Sequence, residues 1–214
     1  DRANKYDVTP LYIACQEGYV DAARLLLDNG AEVNRATERG QTPLFIACEE
    51  GHVDAVRLLL DKGADVHKAS NYNRTPLHEA SYKGHIDIVR LLLANGADAD
   101  LDAKDKDGDK PVADAKSRGH SSIVALLEDH MYPLHATAKE GNVDEMTRLL
   151  DDGAAIDQTK DDGATPLYVA CEKVQVDAAL LLLDKSAEVD RATKNGATPL
   201  WVACENGQVD AARL

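Results

Sequence analysis

The sequence predicts an all-α chain: a solenoid of stacked helix-turn-helix units linked by short β-hairpin fingers. The first observation behind this is a period. Thr42-Pro43-Leu44-Phe45-Ile46-Ala47-Cys48 stands 33 residues after Thr9-Pro10-Leu11-Tyr12-Ile13-Ala14-Cys15 and 33 before Thr75-Pro76-Leu77-His78-Glu79-Ala80-Ser81. Thr165-Pro166-Leu167-Tyr168-Val169-Ala170-Cys171 and Thr198-Pro199-Leu200-Trp201-Val202-Ala203-Cys204 are again 33 apart. A fixed period of this size marks supersecondary units, none able to bury its apolar face alone. The second observation is the punctuation of each unit by Thr-Pro and Gly, and the third is helical apolar spacing between those marks.

Taken in order through one unit, Thr42 is the N-cap of a short helix with Pro43 at its first position, where the missing N–H costs nothing. Gly51 ends that helix. Val53, Val56, Leu59 and Leu60 then carry the apolar spacing of a second, antiparallel helix, and Gly63 after Lys62 is its left-handed C-cap. Ala64-Asp65-Val66 leads out to a polar hairpin whose tip is Asn71-Tyr72-Asn73-Arg74, by analogy with Glu38-Arg39-Gly40-Gln41 one period earlier.

These residues resemble the ankyrin repeat, and the resemblance covers almost all 214 positions. It implies a non-catalytic scaffold that binds a protein partner on the concave side formed by the fingertips and the exposed ends of the first helices. Carried over position by position, that side comprises Lys5, Tyr6, Val8, Gln16 and Glu17, then Glu38, Arg39, Gln41, Glu49 and Glu50, then Asn71, Tyr72, Arg74, Tyr82 and Lys83. Further along it comprises Asp161, Asp162, Glu172, Lys173, Lys194, Asn195, Glu205 and Asn206. Tyr6, Tyr72 and Tyr82 stand out, since exposed tyrosines flanked by charge serve as interface anchors. His52, His85 and His120 each follow a turn glycine, where the resemblance implies a bond to the neighbouring loop. Two other readings are a structural or targeting repeat segment of a larger protein, and a designed repeat protein.

Composition narrows the partner. A net charge of −14 repels phosphate backbones and anionic membranes, so the expected partner is a protein with a basic or apolar surface, not nucleic acid or membrane. No apolar run approaches a membrane span and no signal peptide opens the chain, which points to an intracellular, cytoplasmic protein. Cys15, Cys48, Cys171 and Cys204 share one slot of the repeat. Equivalent positions in stacked helices sit about 8–10 Å apart, beyond the reach of about 7 Å for a disulfide. They read as small buried apolar residues in a reducing compartment.

No catalytic set, phosphate-cradling loop or zinc spacing appears, and neither an enzyme nor a cofactor is expected. Asp105-Lys106-Asp107-Gly108 has part of a calcium-loop pattern, but Ala103 would be the first ligand and Asp114 the twelfth instead of a bidentate Glu, so it reads as a solvated finger. His78 and His135, in the slot shared by Tyr12, Phe45, Tyr168 and Trp201, read as packing residues.

Departures from the pattern fall where backbone geometry is demanding. Asn73 and Asp7 replace the fingertip glycine, an exchange these residues tolerate. Val174 stands where Gly18, Gly51, Gly84 and Gly207 stand, and with Ser186 it predicts strain and local adjustment. In the repeat at Pro111, Asp114, Lys116, Ser121 and Glu128 replace Ile46, Cys48, Val53 and Leu60, as expected of the solvated outer face of a C-terminal cap. Pro133 follows only 22 residues later, leaving no room for a finger. The repeat it opens carries Glu145, Thr147 and Arg148, the last in the slot of Leu25, as an N-terminal cap would. The chain therefore divides into 1–130 and 131–214, with a C-cap joined to an N-cap. One array in the order 131–214 then 1–130, with about eight residues between Leu214 and Asp1, restores a normal solenoid; pairing of half-arrays between molecules is the expectation if His130 and Met131 are bonded.

Overall fold

The structure, a computed structural model, describes residues 2–207. Among them the chain forms thirteen α-helices and one 3-10 helix, and no strand. It divides into two compact units, Asp1–Glu128 and Asp129–Leu214. The first holds the pairs α1 (Pro10–Gln16) and α2 (Val20–Asp28), α3 (Pro43–Glu50) and α4 (Val53–Asp61), α5 (Pro76–Lys83) and α6 (Ile86–Ala94), then the 3-10 turn Ala97–Asp100 and α7 (Pro111–Ser117). The helix α8 (Ser121–Met131) follows. The second holds α9 (Pro133–Glu140), α10 (Val143–Asp151), α11 (Pro166–Glu172), α12 (Val176–Asp184) and α13 (Pro199–Glu205).

Each first helix starts as its sequence dictates. The hydroxyls of Thr9, Thr42 and Thr165 accept from the amide three residues on at 3.1 Å, and Thr198 does so at 3.2 Å. Lys110 and Tyr132 occupy the same slot without a side-chain cap. The first helices then stack, α1 on α3, α3 on α5 and α5 on α7 in one unit, and α9 on α11 and α11 on α13 in the other. Leu11, Leu44 and Leu77 are fully buried in that stack, each worth about 1.5–3 kcal/mol of burial. Met131 stands in the slot of Gly63. With no glycine there to take the left-handed turn that ends a helix, α8 runs on through His130 and Met131 without a break, past the Glu128/Asp129 border of the units.

The hairpin fingers are not ladders. Each is a single turn, with the Thr37 amide donating to Gln41 O at 3.0 Å and the Gly40 amide to Thr37 O at 2.8 Å, too short to pair as strands. Instead the tips are tied in series: the amides of Glu38, Asn71 and Lys106 donate to the carbonyls of Tyr6, Arg39 and Tyr72 at 3.2, 2.9 and 3.0 Å. In the second unit the Lys194 amide donates to Asp162 O at 2.8 Å.

A second tie runs at the turns between helices. Nε2 of His52, His85 and His120 lies 2.9, 3.2 and 3.1 Å from the carbonyls of Gln16, Glu49 and Tyr82 in the preceding repeat. Gln175 fills this role in the second unit, its amide donating to Lys139 O at 3.2 Å.

Asp7 and Asn73 adopt φ of 57° and 58°, as their residue types allow. Val174 and Ser186 also take the glycine conformation, at φ 61° and 69°, so the expected adjustment does not occur and the strain is retained. The exposed Val174 side chain meets no wall that forces another shape. Val174→Gly is therefore expected to raise stability by about 1–2 kcal/mol, read as a higher urea midpoint for the variant.

Two expectations on burial are corrected. Asp114 is not on a solvated outer face: it is buried, and so is Glu79 one repeat earlier, because both turn inward to Arg74. Cys15, Cys48 and Cys171 are free and buried, but Cys204 is exposed, and the residues the repeat would lay over it, 208–214, lie outside those described. Asp1 and Leu214, whose joining the sequence suggests, lie outside them too. The leading faces of the two units differ in polarity. Ile13 and Leu25 are 44% and 65% exposed where their equivalents Ile46 and Leu58 are 4% and 3%. Arg148 in the same slot is exposed and pairs with Glu145 and Asp152 along its own helix.

Candidate functional site

Fingertips and the first turns of the first helices share a hollow in each unit, and none of the assigned first-helix ends lines it. In the first, Tyr6, Val8, Tyr12, Thr37, Glu38, Arg39 and Gln41 enclose about 380 Å³. In the second, Tyr168, Thr193, Asn195, Gly196, Ala197 and Trp201 enclose about 410 Å³. The serial ties of the fingertips hold these walls in place without help from a ligand. A Cβ at Gly40 would come within 2.6 Å of Asn71 Oδ1, and φ there is +77°. Glycine at that tip thus lets successive fingers pack in register.

The residues assigned to this side from the sequence fall into two sets. Lys5, Tyr6, Glu17, Glu38, Arg39, Glu50, Tyr72 and Lys83 are exposed, as are Asp161, Glu172, Lys173, Lys194, Asn195 and Glu205. The ring of Tyr6 carries Lys5 Nζ 4.8 Å from its centroid. Several others serve the scaffold itself. Asn71 donates from its side chain to Glu38 O at 2.9 Å, Asn206 donates to Glu172 O at 3.2 Å, and Asp162 accepts from the Ala164 amide at 2.9 Å. Gln41 is half-buried and accepts from the Tyr12 hydroxyl at 3.4 Å. Gln16 is half-buried, and its carbonyl is the one His52 meets.

Arg74 departs most from its assignment. Its guanidinium is gripped by three carboxylates: Nε lies 2.5 Å from Glu79, Nη1 2.8 Å from Asp105 and Nη2 3.1 Å from Asp114. Asp114 Oδ2 meets Nη2 as an ion pair only, while its Oδ1 accepts from Nη1 at 3.4 Å. Burial raises Glu79 and Asp114 above the usual carboxylate range although Arg74 pulls against it. Burial also pushes on Asp105, but the Asp109 amide, Arg74 and the Asp107 amide together hold it below that range. Asp105 is thus a finger-bracing anion: Oδ1 accepts both amides, at 3.0 and 2.9 Å, and Oδ2 takes Arg74. Tyr82 is half-buried beside this cluster, with Arg74 and Arg118 at 5.5 and 4.7 Å from its ring centroid.

The signal for the cluster lies in its slots: acids stand at Glu79 and Asp114, where Ile46 is apolar, with a cation at Arg74 where Gln41 is neutral. Lys106, 5.6 Å from the Tyr72 centroid, was missed because Pro111 follows Pro76 by 35 residues instead of 33, so that its finger is two residues longer. His78 and His135 are buried and bond outward to Asp109 O and Ala164 O at 3.2 and 3.1 Å; burial lowers both below the usual imidazole range. They link a first helix to the next finger. Among the described residues no His, Cys, Asp and Glu side chains converge as metal ligands, and no helix is long and apolar enough to cross a membrane.

Paired helices stacked in register, ringed by tied fingers, define a helical repeat scaffold. Family models described as ankyrin repeats match residues 35–105, 67–133, 112–193 and 134–214, and another matches residues 11–58. The chain belongs to the ankyrin repeat family, whose members are in general protein-protein interaction modules and non-enzymatic scaffolds. No curated protein sequence matches it as a relative.

Proposed function

We propose that this protein is a non-catalytic scaffold that engages a protein partner through the finger-side groove, with Tyr6 and Tyr72 as anchors. The observation that carries this reading is the preformed hollow beside Tyr6, a residue 54% exposed on a fingertip that neighbouring backbone already fixes. A surface ordered before binding keeps the entropic cost of association low, so a few anchors suffice for affinity. Tyr72, 60% exposed, is presented in the same way two fingers on. Arg74 and Tyr82 are left out of the contact set, because the internal cluster occupies the first and frames the second.

The polarity of the leading faces supports a second element of this reading, the order 131–214 then 1–130, which with His130 and Met131 in one helix is met by pairing the 131–214 half of one molecule with the 1–130 half of another. An apolar leading face at Ile13 and Leu25 suits an internal repeat covered by another, whereas the charged one at Arg148 suits a terminal repeat.

Affinity capture from a cell extract tests the groove. The intact protein is expected to retain a partner that a Tyr6→Ala, Tyr72→Ala variant loses at least tenfold, as two anchors of about 1–2 kcal/mol each imply. Equal retention by both, with the variant folded by circular dichroism, would sink the reading.

A further inference from the structure

The ends of the first helices in the Asp1–Glu128 unit carry a pattern that neither the fold nor the family explains. Glu17 caps α1, Glu49 and Glu50 end α3, Lys83 ends α5 and Arg118 caps α7. Read along the stack, two acidic repeats are followed by two basic ones. The basic half agrees with local physics, since cations complement the negative end of the helix dipole. The acidic half opposes it. Three carboxylates gather where unpaired helix carbonyls already point, a local conflict of the kind that marks function rather than stability.

Where the two halves meet, Lys83 Nζ lies 3.5 Å from Glu49, so a single internal pair joins them. Glu17 and Glu50 remain exposed on one side. On the other, Arg118 sits over Tyr82, whereas the neighbouring Lys116 is matched by Glu128 at 2.9 Å. The same two repeats hold the Tyr6 and Tyr12 hollow, whose charged lining residues are Glu38 and Arg39. Burial, then the charges of Glu49 and Glu50, push the Tyr12 phenol up to about 12, with Arg39 pulling the other way. A Lys or Arg side chain entering that hollow meets the aromatic faces of Tyr6 and Tyr12 and the carboxylate of Glu38, and displaces the Arg39 side chain that also lines it. The second unit has no such division: Glu172 is paired by the adjacent Lys173 at 3.1 Å.

Building on the groove reading above, we propose that this unit takes a protein segment of divided charge, with Lys or Arg residues at the Tyr6/Tyr12 hollow and Asp or Glu residues over Lys83 and Arg118. Steps of about 10 Å between stacked helices put Glu17 and Arg118 roughly 30 Å apart, which an extended segment of about nine residues spans. Charge order along the groove then fixes the orientation of the partner. The chain's net charge of −14 predicts a simple preference for basic partners, and the divided groove replaces that with a preference for a pattern.

Two fluorescent synthetic peptides of identical composition test this, one with four arginines followed by a neutral spacer and four glutamates, the other with the same residues alternating. A benzophenone at either end of the divided peptide reports its position. Fluorescence anisotropy with the full chain is expected to show the divided peptide bound at least about tenfold more tightly than the alternating one in low salt, with the difference lost at high salt. Labelling from the arginine end is expected within residues 6–50 and from the glutamate end within 83–118. Glu49→Lys, Glu50→Lys is expected to remove the tenfold preference while leaving the thermal melt intact, since neither carboxylate supports the core. Equal affinity for the two peptides, binding of neither, or labelling in the opposite sense overturns the proposal. If a captured partner still depends on Tyr6 and Tyr72 while the peptides bind alike, only the polarity falls. Labelling confined to surfaces away from the fingers removes the groove reading as well.

Discussion

Replacing Arg74 with alanine is expected to destabilise the Asp1–Glu128 unit by about 3–5 kcal/mol at pH 7, because it strands three buried carboxylates without the cation they share. The side chains of Glu79, Asp105 and Asp114 are 9%, 4% and 7% exposed, and Arg74 reaches all three. The loss has a signature that a packing defect lacks. Without the guanidinium, mutual repulsion and burial raise all three carboxyls, taking Glu79 and Asp114 further above their unfolded values of about 4. A folded state that binds protons more readily than the unfolded chain gains stability as pH falls toward those raised values. In the wild type, Glu79 and Asp114 already lie above the ordinary range and contribute in that direction, while Asp105 lies below it and contributes in the opposite one. The deficit of Arg74→Ala relative to wild type should therefore shrink by about half between pH 7 and pH 5 in urea unfolding. A deficit equal at both values would mean that lost side-chain packing, not stranded charge, is its source. Arg74→Met, which keeps the stem, should show the same pH trend.

How far the sequence foretold the molecule depended on whether a residue answers to its own repeat or to the next one. Thr42, Pro43 and Gly51 act locally, and their helix starts and ends where composition alone puts it. Gly63 and Met131 are equally local: one ends α4 and the other lets α8 continue. The fingers were misread as hairpins because Glu38 and Asn71 direct their amides to the neighbouring tip instead of across their own turn. Asp114 was misread for the same reason. An acid in an apolar slot resembles a solvated cap until the cation of an earlier repeat, Arg74, is placed beside it. Tyr6 and Tyr72 were legible as exposed fingertip residues because their slot fixes their exposure, whereas Tyr82 is drawn inward by two arginines that its slot does not reveal.

Substituting alanine at Gly51 is expected to cost about 2–4 kcal/mol, more than a backbone penalty alone. Gly51 holds φ of +85°, where a side chain costs about 1–2 kcal/mol. Val174 bears that cost in the equivalent slot, which shows that the conformation itself is affordable to the fold. At Gly51 a second term is added, since a Cβ would lie 2.6 Å from His85 Cε1 and 2.9 Å from Nε2. The imidazole must then leave Glu49 O, 3.2 Å away, giving up a bond worth about 0.5–1.5 kcal/mol and the packing of the turn. The two contributions separate in a double-mutant cycle. In a His85→Ala background the Cβ of Gly51→Ala has room, and only the backbone cost of about 1–2 kcal/mol should remain. The coupling read from urea unfolding of the four proteins is then the energy with which one repeat holds the next through its turn. A coupling near zero would mean that the histidine rides on the glycine turn without bracing it, and that the stack is held by its leucines alone.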